Sequence, residues 1–280
     1  MVARKLNEIN RHTRVNSAID MFIILYLEVF NETPLFSKIL SDEARYLIML
    51  KLTSLIWGRN SYPTVSQVQE FAIKYSLASR TRVNTIINIC YLLGIINRKI
   101  DIKDKRSRII LPTEKFVRLV RNSFKYYREP ISIIYPEHFK FIHENDLCFI
   151  GEMAKFGIEF YINDCRLVDD VEGAHLFSRR DGGFELLLKV LKKTDFPYSD
   201  EPQIISYPFS RAALDLLLSR SHIQKIFKCA EEAGLLINLE AGGKKILVLP
   251  GMMNIARSMI VGMLALAAHA AENANKIELN

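Results

Sequence analysis

One segment of this chain is repeated, and the repeat constrains the fold more than any other feature. Residues 79–96 align without a gap with residues 219–236, at an offset of 140 positions. Both copies begin with Ser-Arg followed by Thr or Ser, and both end with a glycine and two aliphatic residues. Chance similarity between two amphipathic helices rarely preserves both ends, so we expect one structural unit to occur twice.

The interior of each copy has the pattern of an amphipathic helix that leads into a strand. In the first copy, apolar residues at 83, 86, 87, 90 and 93 fall on one helical face. Ser79 is a favourable N-cap, and Gly94 suits the left-handed conformation that ends many helices. The pair Ile95-Ile96 then begins a predicted strand.

The residues around the first copy complete a winged helix-turn-helix centred on residues 64–112. A short helix beginning near Thr64 precedes the helix from Ser79, and a polar turn at 101–106 joins two strands. The second copy has a shorter turn at 241–245. The sequence therefore predicts a mainly α fold with small β-hairpin wings (α+β), in which tandem winged helix-turn-helix domains are joined by helical segments.

Three domains are predicted from this pattern. Residues 1–130 form an N-terminal winged-helix domain with leading helices, residues 131–180 a helical linker or core segment, and residues 181–280 a second winged-helix domain with an apolar C-terminal helix. Lys and Arg exceed Asp and Glu by 11 in residues 1–130, whereas residues 131–280 carry a net charge of −4. A basic half joined to an acidic half indicates that one half meets a polyanion, although a solvated basic surface has the same composition.

The helix from Ser79 has the polar front that a helix entering the DNA major groove needs. Arginine pairs with guanine, asparagine pairs with adenine, and hydroxyls near a helix N-terminus reach phosphate. The predicted DNA-contacting residues of this helix are Ser79, Arg80, Thr81, Arg82, Asn84, Thr85 and Asn88. Lys99 adds charge to the wing, whose predicted contacts with the DNA backbone or the minor groove are Lys103, Lys105, Arg106 and Arg108.

These segments resemble the MarR-type winged-helix transcription regulators. The resemblance lies in Ser79-Arg80-Thr81, in Gly94-Ile95-Ile96, in the turn from Asp101 to Arg108 with its Asp104-Lys105-Arg106, and in residues 111–115, and it covers roughly residues 40–125. It implies a DNA-contacting helix at 79–93 and a DNA-contacting wing at 101–108. Members of that family are single-domain dimers of about half this length, so the duplicated unit departs from the family's pattern.

The second copy is a candidate second reading head, which would make one chain a pseudo-dimer. Its corresponding residues are Ser219, Arg220, Ser221, His222, Gln224 and Lys225. The acidic balance of its half and its short wing slightly favour the alternative, in which this copy packs against protein. The sequence leaves open whether this copy contacts DNA, and whether the chain is a homodimer or a single-chain pseudo-dimer.

Other chemistry finds little support in the sequence. His138, His143 and Cys148 do not share a helical face, and the four cysteines form no Cys-x-x-Cys pair, so we expect no metal and no cofactor. No catalytic constellation can be assembled, which favours a protein that is not an enzyme. The apolar stretches at 16–31 and 252–271 carry charged residues and are predicted to be buried helices. With no export signal, we expect a cytoplasmic protein without membrane contact.

Double-stranded DNA is therefore the expected partner, and three roles remain open. The first is a transcription regulator, the second a replication-initiator-like protein with two winged helices, and the third a scaffold whose winged helices bind protein. The aromatic segment from Tyr126 to Tyr161 either lines a pocket for a small-molecule effector or completes the core. The basic wing argues against the scaffold.

Overall fold

The structure, a computed structural model, describes residues 2–32, 38–58, 62–101, 108–139, 146–163 and 167–278. In these ranges the chain is mainly helical and carries two small antiparallel sheets, which confirms the predicted mainly α class with small β-hairpins. Helix α1 (Val2–Arg11) precedes two structural repeats, which we call repeat 1 (residues 15–134) and repeat 2 (residues 147–278).

Repeat 1 consists of five helices and a β-hairpin. Its elements are α2 (Val15–Glu32), α3 (Glu43–Trp57), α4 (Val65–Lys74), α5 (Arg80–Leu92), β1 (Ile96–Ile100), β2 (Arg108–Pro112) and α6 (Glu114–Ile134). Capping side chains start three of these helices: Asp42 for α3, Thr64 for α4 and Thr113 for α6.

Repeat 2 follows a 3₁₀ turn at Pro136–Phe139 and has the same order of elements with two short helices inserted. Its elements are α7 (Leu147–Asn163), α8 (Leu167–Asp170), α9 (His175–Ser178), α10 (Gly183–Leu191), β3 (Gln203–Ile205), α11 (Phe209–Asp215), α12 (Arg220–Glu232), β4 (Leu236–Glu240), a 3₁₀ turn at Ala241–Gly243, β5 (Lys245–Val248) and α13 (Pro250–Glu278). Strand β3 was not predicted; it adds a third strand in the order β3-β5-β4.

The helices α5 and α12 are structurally equivalent in detail. Each has 13 residues, and the preceding serine accepts a hydrogen bond from the backbone N–H three residues on. Gly94 and Gly234 have φ values of 65° and 69°, the left-handed conformation that ends each helix. Four of the five predicted stripe positions, from Val83 to Cys90, are buried, as are their equivalents from Ile223 to Ala230, whereas Leu93 is half-buried. The recurrence of this helix-into-strand unit is thereby confirmed.

The two repeats contact each other at equivalent positions. Ser41 Oγ donates to Asp181 Oδ1 at 2.8 Å, and these residues are separated by 140 positions, which is the repeat offset. The N–H of Gly182 also donates to the carbonyl of Ser41 at 3.1 Å. Equivalent surfaces meet each other in this way around a two-fold axis. We therefore place a pseudo-two-fold axis near the Ser41–Asp181 hydrogen bond.

Equivalent pairs of helices also pack together in the two repeats. Helix α2 packs on α6 within repeat 1, as α7 packs on α13 within repeat 2. Across the axis, α3 packs on α7 and α10 packs on α2. Because helices cross between the repeats, one continuous cluster of buried side chains runs from Ile9 to Ala274. The three domains predicted from the sequence thus share a core, and the boundary after residue 130 falls inside α6.

Two long apolar helices lie in this core as predicted. Arg257 of α13 donates to Asn16 Oδ1 of α2 at 2.9 Å, so its charge is accommodated within the fold. By length and composition, residues 250–276 could cross a membrane, and 72% of the most apolar stretch is buried inside the structure. That burial is typical of a core helix. Helix α6 is longer than the predicted end near residue 124, because its buried residues beyond Pro130 continue to pack.

Candidate nucleic-acid interface

Helix α5 presents one polar face to solvent, opposite the buried stripe. All seven residues predicted to contact DNA on this helix are exposed: Ser79, Arg80, Thr81, Arg82, Asn84, Thr85 and Asn88. The stripe fixes the helix against its repeat, so the polar face is held in a defined direction. The structure therefore brings these side chains together on one surface.

Some of these polar groups already have partners within the helix. The Ser79 hydroxyl caps α5 by accepting from the Arg82 N–H at 3.2 Å, and Thr85 Oγ1 donates to the Thr81 carbonyl at 3.0 Å. Such bonds hold the side chains in place but occupy an acceptor or a donor. Arg80 is the exposed cation at the start of this face.

Arg82 contacts the N-terminus of α3. Its Nη2 lies 2.7 Å from Asp42 Oδ2, while Asp42 Oδ1 accepts from the Arg45 N–H at 2.9 Å and caps the helix. The Asp42 side chain is 9% exposed and that of Arg82 is 47% exposed. One carboxylate therefore connects α3 to α5. This contact was not predicted from the sequence, because the two residues are 40 positions apart.

Residues outside the predicted set support the two asparagines. Gln69 Nε2 donates to Asn84 Oδ1 at 2.9 Å, and Arg98 Nη1 donates to Asn88 Oδ1 at 2.7 Å. The Arg98 guanidinium also lies 4.5 Å from the centroid of the Tyr91 ring. Sequence reading placed Arg98 in a strand without a role. Its contact with Asn88 depends on how β1 lies beside α5.

The base of the first wing adds exposed cations beside α5. Lys99 on β1 pairs with Ile109, and Arg108 on β2 pairs with Ile100, so the two cations lie at adjacent positions along the hairpin with their side chains on opposite faces. Both side chains are exposed. The predicted wing contacts Lys103, Lys105 and Arg106 lie outside the residues that the structure describes.

The equivalent face of repeat 2 is less open. Ser219, Arg220, Ser221, Gln224 and Lys225 are exposed, whereas His222 is half-buried and its Nε2 lies 3.0 Å from the Asp181 carbonyl oxygen. The Asp181 carboxylate in turn pairs with Arg45 at 2.9 Å. His222 is thus held at the junction of the two repeats, which is the position that Arg82 has in repeat 1.

The second wing is folded against its own repeat. The Tyr207 N–H donates to the Gly243 carbonyl at 3.0 Å, and Gly243 is buried. A Cβ atom added at Gly243 would lie 2.6 Å from the Tyr207 carbonyl oxygen and 2.7 Å from the Phe209 ring. Glycine is therefore required for this close approach, and the tip of the second wing does not project from the repeat.

A cavity of about 230 Å³ lies between the repeats. Its walls are mostly apolar and come from both repeats, with Tyr46 and Tyr127 on one side and Met153 and Met259 on the other. The hydroxyls of Tyr46 and Tyr127 are 2.7 Å apart. Asp42, the residue that pairs with Arg82, is also among the residues that line the cavity.

One buried carboxyl faces the same cavity. Glu185 is 6% exposed, and its Oε1 lies 3.4 Å from Lys189 Nζ. Burial disfavours the charged form more than the lysine favours it, which raises the pKa of Glu185 to about 7. This residue was not identified from the sequence, because the run from Glu185 to Leu191 looks like an ordinary helix.

Within the described ranges, no group of three or more His, Cys, Asp and Glu side chains is arranged to hold a metal ion. Of the residues weighed for metal binding, His143 lies outside those ranges. Cys90, Cys148 and Cys229 form no disulfide, and Cys165 is not among the described residues. Burial raises the pKa of Cys90 to about 12, which is consistent with a packing role for this thiol.

Comparisons with protein-family models, with curated proteins and with solved structures find no match to this chain. The resemblance to MarR-type regulators consequently stays a prediction.

Proposed function

We propose that the chain is a sequence-specific binder of double-stranded DNA and a transcription regulator built from tandem winged helices. The main support for this proposal is the polar face of α5. The opposite face of this helix is buried in the core, while Arg80, Asn84 and Asn88 are exposed to solvent. A helix of this kind can lie in the major groove and read base edges from its N-terminal residues.

The surroundings of this face support a polyanionic partner. Lys99 and Arg108 extend the surface onto the wing, and residues 1–130 carry a net charge of +11. Cations beside a recognition helix contact phosphates and fix the register of the helix in the groove. In this proposal Arg80 and Arg82 read bases, whereas Lys99 and the wing cations Lys103, Lys105, Arg106 and Arg108 contact the backbone or the minor groove.

A titration on random-sequence duplex DNA tests the proposal. We expect an affinity that falls by at least about tenfold between about 50 mM and about 200 mM salt, because bound counterions are released from each neutralised phosphate. A matched titration on single-stranded DNA of the same composition controls for simple polyanion attraction. Binding that shows no salt dependence on any duplex would overturn the proposal.

The central cavity supports regulation by a small-molecule effector. Its volume and apolar walls suit a compact, mostly apolar ligand. Because Asp42 lines the cavity and contacts Arg82, a ligand that moves α3 changes the position of α5. We therefore propose that effector binding alters the affinity for DNA.

The replication-initiator-like role remains the alternative, because two winged helices in one chain also suit binding to repeated origin sites. Selection of bound duplexes from a random library separates the roles. A regulator selects a single operator-like site, whereas an initiator selects sites that function as direct repeats. A scaffold would select neither.

A further inference from the structure

The two repeats differ at two exposed positions on the outer face of their first strands, β1 and β4. Strands β1 and β4 have the same pattern of buried and exposed positions, so their residues can be matched at the repeat offset. Asn97 and Lys99 are exposed on β1, whereas the matching residues on β4 are Ile237 and Leu239, which are 44% and 45% exposed. Polar groups in repeat 1 are thus replaced by aliphatic ones in repeat 2.

The aliphatic surface of repeat 2 continues across its third strand. Leu247 on β5 pairs with Ile237 on one side and with Ile204 on the other. Ile204 is 57% exposed. An apolar row therefore crosses all three strands of repeat 2. In repeat 1 the matching segment makes only a bridge from Thr64 to Ile109 beside the two-stranded hairpin.

The turn that precedes each second helix shows the same change. Ser76 and Leu217 have φ values of 55° and 51°, and the next residue in each case donates back to the helix before it, at 2.8 Å and 3.0 Å. These residues are therefore equivalent. Ser76 is polar, whereas Leu217 is 44% exposed and can offer no side-chain hydrogen bond.

Leu217 lies just before α12, and Ile237 and Leu239 lie on the strand that follows it, so these residues are next in sequence to the helix that corresponds to α5. Phosphate oxygens placed against aliphatic side chains lose water without gaining a donor, which is unfavourable. Repeat 2 also has its wing tip packed on Tyr207 and Phe209, and its His222 engaged by Asp181. It keeps exposed cations at Arg220, Lys225 and Lys244, but cations alone attract DNA without reading its sequence.

We infer that the chain reads an asymmetric DNA site: repeat 1 contacts the bases of one half-site, and repeat 2 contacts none. This inference rests on the proposed DNA binding. The pseudo-two-fold scaffold would otherwise present two heads to an inverted repeat, as symmetric dimers do. Here the two repeats meet near Ser41 and Asp181, and only repeat 1 reads the bases.

The test is selection of duplexes from a random library with the full chain, followed by titration of two matched variants. Arg80 and Arg220 are both exposed and occupy the same position in the two repeats. We expect one non-palindromic motif. We further expect R80A to weaken binding to that duplex by at least about tenfold, and R220A by less than about twofold.

Each outcome is decisive. An inverted repeat with half-sites about one helical turn apart would overturn the inference while leaving the proposed function intact. A loss of affinity in R220A equal to that in R80A would also overturn the inference and leave the proposed function intact. Absence of any enriched or salt-dependent binding would overturn the proposed function, and the inference with it. Thermal unfolding of both variants, expected to match the wild type, excludes misfolding as the cause of a loss.

Discussion

Arg82 on α5 and Asp42 at the N-terminus of α3 form an ion pair of 2.7 Å that joins the candidate recognition helix to the wall of the central cavity. Asp42 also caps α3, so one carboxylate serves both helices. This arrangement makes the role of Arg82 testable, because its contact with Asp42 and its contact with DNA can be separated by mutation.

Arg82→Ala is expected to weaken specific DNA binding by about tenfold and to blur sequence preference, since the proposed function assigns its guanidinium to base reading. Asp42→Asn is the matched variant, because asparagine caps a helix as well as aspartate does while the ion pair is lost. We expect Asp42→Asn to retain DNA binding. Equal losses in the two variants, measured by titration on one duplex, would mean that Arg82 acts only through α3.

Lys99→Ala is expected to weaken binding to all duplexes by a similar factor and to lower the salt slope by about 1, as the loss of one phosphate contact requires. Lys192 is an exposed lysine at the end of α10 in repeat 2, so Lys192→Ala removes the same charge at a distance from α5. In titrations over a salt series, the affinity and the salt slope of Lys192→Ala should equal those of the wild type. A loss confined to one sequence would contradict a backbone role for Lys99.

Stability is expected to fall as pH rises from about 5 to about 8. The pKa of Glu185 is raised from 4.5 to about 7 by burial, so the folded chain holds a proton there that the unfolded chain releases above its lower pKa. This stabilisation is complete at pH values below the pKa of Glu185 in the unfolded chain. It is lost as the pH rises through the pKa of Glu185 in the folded chain. The size of the change is on the order of a few kcal/mol.

Glu185→Gln should remove most of this dependence, because a neutral amide does not titrate. Chemical denaturation of wild type and variant at several pH values measures the difference in unfolding free energy. The unfolding free energy of the variant should rise relative to that of the wild type as the pH rises. A constant difference across this range would show that Glu185 is ionised throughout.

Gly94→Ala is expected to destabilise the chain by about 1 kcal/mol, since a Cβ atom at φ 65° is strained although no other group lies within 4 Å of it. Gly157 in α7 offers a control for which the opposite effect on stability is expected. It also has open space around an added Cβ but lies in helical backbone, so Gly157→Ala should stabilise by roughly 0.5–1 kcal/mol. Denaturant titrations of both variants measure these effects, and equal signs would contradict the conformational explanation.

The cavity between the repeats should bind an apolar fluorescent probe such as anilinonaphthalene sulfonate. Ala267 lines this cavity, and Ala267→Phe is expected to reduce probe binding by filling the space. Ala3→Phe, on the exposed side of α1, adds the same ring elsewhere and should leave binding unchanged. Probe fluorescence that responds equally to both substitutions would place the bound probe on the surface.

The local elements of this fold could be predicted because short-range chemistry specifies them. Ser79 caps α5 and Gly94 ends it, as expected, because the capping hydroxyl and the left-handed glycine act within a few residues. The repeat was visible because the apolar stripe and its two ends are preserved at one offset. The exposed face from Arg80 to Asn88 follows directly from that stripe.

Contacts between distant segments could not be predicted in the same way. Nothing near Ser41 indicates that its hydroxyl meets Asp181, and nothing near Asp42 indicates Arg82. The burial of Glu185 and the folded-back tip at Gly243 likewise depend on which helices and strands cover them. Sequence determined the two units and their polar faces, because periodicity and capping are local. Tertiary structure alone decided that the units pack around a shared axis with unequal surfaces, because burial depends on long-range packing.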